Sequence, residues 1–238
     1  MDTLEYTALA TAYTFGMTAL GAAAVFIAHK VPSALFTKLS LGFAAGIMIA
    51  ASVWSLLTPA MEEAANLGMH PAIPCAGGFI LGALFLIALD NIMPHLHINS
   101  KDPEGPKSTL GKHSLLFLAV TIHNIPEGMA VGMGIQNVPE GTAVTLPMHA
   151  NGASRFKAFL FGAFSGFVEP VAAIIVVYLA SFFIPLMPWL LSFAAGAMIY
   201  VVVEELIPEA QLGEHSDLGT ISVLVGFVLM MVLDTSLG

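Results

Sequence analysis

Two stretches of the chain set histidine, carboxylate and amide side chains at helical spacing inside apolar sequence. The first is Thr121-Ile122-His123-Asn124-Ile125-Pro126-Glu127-Gly128 and the second Ile135-Gln136-Asn137-Val138-Pro139-Glu140-Gly141. His123 and Glu127 stand four positions apart and so share a helical face, and Gln136 and Glu140 repeat that spacing. Pro126 and Pro139 each remove a backbone donor and disturb the preceding turn. The carbonyls freed in this way are tolerated at membrane depth only beside protein, water or an ion. Glu169-Pro170 adds a third carboxylate beside a third proline. Imidazole with carboxylates and amide oxygens, and no thiolate, is a donor set for Zn²⁺ and for first-row neighbours such as Fe²⁺ and Mn²⁺. Any one of these side chains alone reads as a polar group hydrogen-bonded between helices. His123, Glu127, Glu140 and Glu169 together point to a metal site, because each ionisable group in hydrocarbon costs about 3 kcal/mol or more to insert.

The composition supplies the hydrocarbon. Of 238 residues, 57% are hydrophobic and 10% charged, and the mean hydropathy is +0.87, which excludes an ordinary soluble domain with a polar surface. The single cysteine, Cys75, excludes an intramolecular disulfide framework and any cysteine-based zinc module. The net charge of -9 is no general sign of cation binding, since most of the excess sits at predicted helix ends and in one loop. A spanning helix needs about 20 apolar residues. Such runs are predicted at 6–28, 39–61, 72–93, 158–182, 185–203 and 218–233, with the motifs on an unusual segment at 114–150. His95 to Lys107 is polar and Pro-punctuated, hence a loop, and Glu205 to Asp217 is an acidic one. Met1-Asp2-Thr3-Leu4-Glu5 is acidic where a secretory signal needs basic residues, so the first run is expected to be retained as a span.

The chain also repeats itself. Ala44-Ala45-Gly46-Ile47-Met48-Ile49 and Ala194-Ala195-Gly196-Ala197-Met198-Ile199 stand 150 positions apart, and the register continues through Val53/Val203 and Leu56/Leu206. Small residues there would bring helices close in any case, and an internal duplication of the kind found in many secondary transporters accounts for the register as well. The seven basic residues give the orientation. If 114–150 enters and leaves on one side, Lys30, Lys38, Lys101, Lys107, Lys112, Arg155 and Lys157 all fall on one face, which the positive-inside rule makes cytoplasmic. Both termini then lie outside, and the two Ala-Ala-Gly helices run in opposite directions.

With these motifs the sequence resembles the ZIP family of metal transporters, in particular the bacterial branch with HNxPEG and QNxPEG signatures. The resemblance covers nearly the whole chain and includes Leu89-Asp90, Ser165-Gly166-Phe167-Val168-Glu169-Pro170 and Val203-Glu204-Glu205-Leu206-Ile207-Pro208-Glu209. It implies an all-α polytopic membrane protein of eight helices, with two inverted three-helix repeats flanking a central helix pair. On 1–238 these form a single transmembrane domain, with the first repeat at about 6–93, the central pair at about 114–150 and the second repeat at about 158–234. It implies movement of Zn²⁺, or of Fe²⁺, Mn²⁺ or Cd²⁺, toward the cytoplasm as transported substrate, with no resident cofactor. Carried over by motif, His123, Glu127, Gln136 and Glu140 match one metal position with Met48 as a neighbour. Asn124, Asn137 and Glu169, sharing Glu127 and Glu140, match a second.

One departure from the family concerns spacing. Only Met129 to Ile135 separates Gly128 from Gln136, where the family places a helix end, a loop and a new helix start. On one continuous helix His123 and Gln136 would be roughly 20 Å apart and about 140° out of phase. A turn at Gly128, Gly132 and Gly134 would instead give two half-helices and restore proximity. Weaker candidates are Glu62, Glu63 and Asp234 on the outer face, where carboxylates concentrate cations, of which the resemblance favours Glu62 and Asp234 as an intake pair, and Asp90, His95 and His97 as an exit set on the inner face.

The rival readings are a passive metal channel and a membrane metalloenzyme, and the second lacks a His-Glu-x-x-His pair and a nucleophile turn. Expected partners are a divalent metal ion, the lipid bilayer of a bacterial inner membrane and, as a candidate, a second copy of the chain. Neither nucleic acid nor an enzymatic role is expected. The orientation is testable: in Cys75→Ser background, Arg155→Cys should resist a membrane-impermeant maleimide applied to intact cells and react once the membrane is opened.

Overall fold

In hydrocarbon every backbone N–H and C=O must find its partner within the chain, so long apolar runs fold as helices. The computed structural model describes residues 3–27, 34–92, 124, 137–150, 152–211 and 217–237, and the described residues contain no strand. The helices are α1 (Thr3–Ile27), α2 (Ala34–Ala51), α3 (Thr58–Asn66), α4 (Ala72–Ile92), α5 (Asn137–Ala150), α6 (Arg155–Ser165), α7 (Val168–Phe182), α8 (Met187–Val201), α9 (Ile207–Gln211) and α10 (Leu218–Leu237). Two π-helical segments, Ser52–Leu57 and Val202–Leu206, join α2 to α3 and α8 to α9, and a 3₁₀ turn at Ile184–Leu186 leads into α8. Among the described residues, six stretches are long and apolar enough to cross a membrane: Thr7–Ile27, Lys38–Asn66, Ala72–Ile92, Arg155–Leu179, Ile184–Gln211 and Leu218–Ser236. The protein is therefore all-α and polytopic. The expected runs 39–61 and 185–203 continue to Asn66 and Gln211, because residues such as Met61-Glu62-Glu63-Ala64-Ala65 are good helix formers and carry the helix past its apolar part. Of the expected central pair, the description includes α5 and, before it, Asn124 in helical conformation.

Two of the apolar runs are interrupted for identifiable reasons. Pro59 and Pro208 have no N–H, and their rings would crowd the carbonyl four residues back in a regular helix. Each is preceded by a π turn, in which Thr58 N–H reaches the Val53 carbonyl and Ile207 N–H the Val202 carbonyl, five residues back. The third interruption lies at Gly166-Phe167, where α6 ends and α7 begins at Val168. Pro170 then falls in the first turn of α7, where a missing N–H costs nothing.

Helix pairs are held together by reciprocal glycine contacts. On α2 and α10, a Cβ at Gly46 would run into the Val223 carbonyl and one at Gly226 into the Phe43 carbonyl. On α4 and α8, Gly82 faces the Phe193 carbonyl and Gly196 the Phe79 carbonyl. On α1 and α5, Gly21 faces the Val138 carbonyl and Gly141 the Thr18 carbonyl. In each pair the numbers fall on one helix as they rise on the other, so the partners are antiparallel. Small residues at such crossings let backbones approach in place of a hydrophobic driving force that lipid cannot provide. The positions 150 apart behave alike: Ala44/Ala194, Ala45/Ala195, Met48/Met198 and Leu56/Leu206 are all buried, whereas Val53 and Val203 are both exposed.

The helices sort into two bodies. One holds α1, α5, α6 and α7, with Val25, Val144, Leu146, Met148 and Ala158 in its core. The other holds α2, α3, α4, α8, α9, α10 and both π segments around Met48, Leu56, Leu86, Met198 and Val201. Among the described residues, contact between them is narrower and runs mainly along α2 and α5. Gly46→Ala and Gly196→Ala should each lower the thermal midpoint of the purified protein, at a cost of about 1–3 kcal/mol from overpacking. Gly16→Ala, with nothing among the described residues within 4 Å of the added Cβ, should not lower it and should raise it slightly, because alanine is the better helix former.

Candidate metal site

The first body brings Asn137 and Glu169 together. Glu169 lies in the first turn of α7, where unpaired N–H groups and the helix dipole favour a negative charge. The break at Gly166 thus puts a helix N-terminus inside the protein and gives the carboxylate a place to sit. Asn137 is the first described residue of α5. Both side chains are sealed from solvent, at 1% exposure for Glu169 and 0% for Asn137. Asn137 Nδ2 donates to Glu169 Oε2 at 2.7 Å and to Thr18 Oγ1 at 2.9 Å. The Thr18 hydroxyl stands 3.1 Å from Glu169 Oε1 and 3.3 Å from the Thr14 carbonyl, and it can donate to either. Three helices therefore meet at one closed hydrogen-bond ring. Both Asn137 N–H groups are used in it, so the amide oxygen Oδ1 turns away from the carboxylate and is buried with no hydrogen-bond partner among the described residues. Asn124 is likewise buried, with Nδ2 unpartnered among the described residues.

The remaining expected ligands are placed as follows. His123, Glu127 and Gln136 lie outside the described residues, as does the side chain of Glu140 on α5. Met48 is fully buried in the apolar cluster of the second body, on α2, the helix that also meets α5. Among the described residues, no three His, Cys, Asp or Glu side chains are gathered closely enough to hold a metal ion. Of the intake pair, Glu62 is exposed on α3, while Asp234 Oδ1 accepts a 2.8 Å hydrogen bond from Ser55. The Asp234 Oδ2 atom is buried without a partner among the described residues. Of the exit set, Asp90 sits half-buried near the end of α4, and His95 and His97 lie outside the described residues.

Two residues at these places were not singled out from sequence. Thr18 is the fourth of Thr7, Thr11, Thr14 and Thr18, all buried on one face of α1, and that spacing was a legible signal. Ser55 sits in a π segment, where counting residues as on an α-helix does not tell which way a side chain points.

The chain has clear relatives. Residues 107–234 match the family described as ZIP zinc transporter. The human zinc transporter ZIP11 is 35% identical over 97% of this chain and 96% of its own length. The zinc transporter GufA of Myxococcus xanthus is 42% identical over 78% of this chain and 81% of its own. The zinc transporter ZIPB of Bordetella bronchiseptica is 38% identical over 98% and 82%. Its alignment is 256 positions long against 238 residues here, so this relative carries stretches with no counterpart in the chain.

Emptying the ring should be costly even without metal. Glu169→Ala leaves one Asn137 N–H buried without its acceptor, while Thr18 can turn to the Thr14 carbonyl, and should destabilise the metal-free protein by about 1–3 kcal/mol in chemical unfolding. Ser55→Ala, at a half-buried pair, should cost less.

Proposed function

The chain belongs to the ZIP family of zinc transporters, and from that premise we propose that it moves Zn²⁺ across the membrane toward the cytoplasm by alternating access. Fe²⁺, Mn²⁺ and Cd²⁺ are further substrates on this reading. The buried contact between Asn137 and Glu169 carries it. A carboxylate and an amide, hydrogen-bonded to each other and both sealed from water, leave an amide oxygen without a partner among the described residues. That donor chemistry suits a divalent cation of borderline hardness. The ligand set is completed by Glu127 and Glu140, shared between two ions, with Asn124 on the second ion and His123 and Gln136 on the first. Asp234, with one buried oxygen that has no partner among the described residues, is where an ion would first leave bulk water.

The division into two bodies supports alternating access. The ring of Thr18, Asn137 and Glu169 lies wholly within the first body, and among the described residues its seam with the second is narrower than the packing inside either body. Both termini are placed outside, following the basic residues.

The test is Zn²⁺ uptake into proteoliposomes. Saturable uptake with steep temperature dependence is expected, and conductance in single-channel recordings would favour a passive channel instead. In calorimetric Zn²⁺ titration, Glu127→Ala and Glu140→Ala should each lose more affinity than Asn124→Ala, because a bridging carboxylate supplies charge to two ions and an amide supplies only a dipole. Equal losses would argue for a single ion or a different ligand set.

A further inference from the structure

We propose that Thr18 is a positioning residue that decides which end of the Asn137 amide faces the ion. The inference rests on the reading above, in which Asn137 and Glu169 hold the metal. A carboxamide offers two N–H donors at one end and one oxygen acceptor at the other, and a cation can use only the oxygen. Here the nitrogen end is fixed by two acceptors, Glu169 Oε2 at 2.7 Å and Thr18 Oγ1 at 2.9 Å. With both hydrogens taken, Oδ1 is buried, unpartnered among the described residues and turned out of the ring.

Glu169 alone would not hold that orientation, because a single acceptor satisfies one N–H and leaves the other without a firm partner. The Thr14 carbonyl stands at 3.4 Å from Nδ2, too long to replace the hydroxyl. Thr18 also reaches Glu169 Oε1 at 3.1 Å, so the same hydroxyl braces the carboxylate against turning.

The hydroxyl is itself held in place. Thr11 and Thr14 donate to carbonyls one turn back on α1, as threonines in membrane helices commonly do. Thr18 has the same option toward the Thr14 carbonyl at 3.3 Å, yet its oxygen reaches two other helices. Gly166 explains the reach. A Cβ there would meet the Thr18 Cβ, Cγ2 and Oγ1 atoms at 2.8 to 2.9 Å, so the bare backbone of the helix break packs directly on this side chain and limits its rotation. A group that orients a ligand without touching the metal typically changes affinity by about 10–100-fold when removed.

The experiment is Zn²⁺ titration by calorimetry on the full chain in lipid nanodiscs at fixed pH. Thr18→Val keeps the shape and removes the hydroxyl, and should weaken Zn²⁺ binding by about 10–100-fold. Thr18→Ser keeps the hydroxyl and should bind within about threefold of the unmodified chain. Thr18→Ala serves in place of valine if that variant does not fold. The decisive arm is Asn137→Asp, whose side chain presents an oxygen at either end and needs no orientation. In that background Thr18→Val should cost at most about threefold. If Thr18→Val binds Zn²⁺ normally while Glu169→Ala does not, the positioning role is overturned and the metal site stands. Equal losses for Thr18→Val in the unmodified chain and in the Asn137→Asp background would likewise overturn it, by showing a packing effect. If Glu169→Ala binds as the unmodified chain does, the site reading itself fails.

Discussion

A carboxylate inside the membrane has to be answered by donors from its own protein, and Glu169 is answered from two other helices at once. Both its oxygens accept hydrogen bonds, from Asn137 on α5 and Thr18 on α1. These donors sit on short side chains, so the three helix axes must come close. That requirement explains the local glycines. Gly21 and Gly141 let α1 and α5 cross backbone to carbonyl, and Gly166 lets the break between α6 and α7 rest on Thr18 itself. Ending α6 there also starts α7 just before Glu169, whose charge then lies at a helix N-terminus. The helix break, the glycine seats and the threonine face of α1 thus serve one polar contact that hydrocarbon would not tolerate unpaired.

Elsewhere the same glycine exchange surrounds a mostly apolar core, with the Ser55–Asp234 pair and the Ser222 hydroxyl on the Leu39 carbonyl as its polar contacts. In α2 with α10, and in α4 with α8, it builds an apolar body around Met48, Leu86 and Met198. Leu84, Leu224 and Val228 remain on outer surfaces that lipid would cover. Within the described spans of that body, the helices depart from α geometry at the two π segments before Pro59 and Pro208, where a widened turn accommodates the missing donor. The π segments begin 150 positions apart, at Ser52 and Val202, but the first is one residue longer, so the two prolines stand 149 apart. The repeat therefore holds in the packed part of the helices and drifts where the backbone is least constrained.

The membrane character, the apolar runs and the polar motifs were legible from sequence because hydrocarbon imposes one rule on every residue of a span. Asn137 and Glu169, 32 positions apart, were paired only through the family motif, since each alone reads as a polar side chain hydrogen-bonded between helices. The break at Gly166 was not legible, because hydropathy averages over it and 158–182 reads as one run. Thr18 was passed over because a threonine in a membrane helix normally satisfies itself on its own backbone, as Thr11 and Thr14 do. Only the approach of two other helices reveals its further partners. Ser55 was missed for a geometric reason. An α-helical count advances about 100° per residue and a π turn advances less, so residues beyond Ser52 no longer fall on the face that the count assigns.

The polar pairs fall on different sides of the seam between the bodies. Ser55 and Asp234 belong to the body of α2 and α10, whereas Thr18, Asn137 and Glu169 belong to that of α1, α5 and α7. On the proposed reading, an ion moving from Asp234 to Glu169 leaves a ligand on one body for a ligand on the other. Neither internal hydrogen-bond set has to break for the bodies to shift, since each is formed within its own body. The seam is then the element whose two arrangements would decide which side of the membrane the ion can reach, and α2, which carries Met48 and borders α5, is the helix along which that shift would be felt.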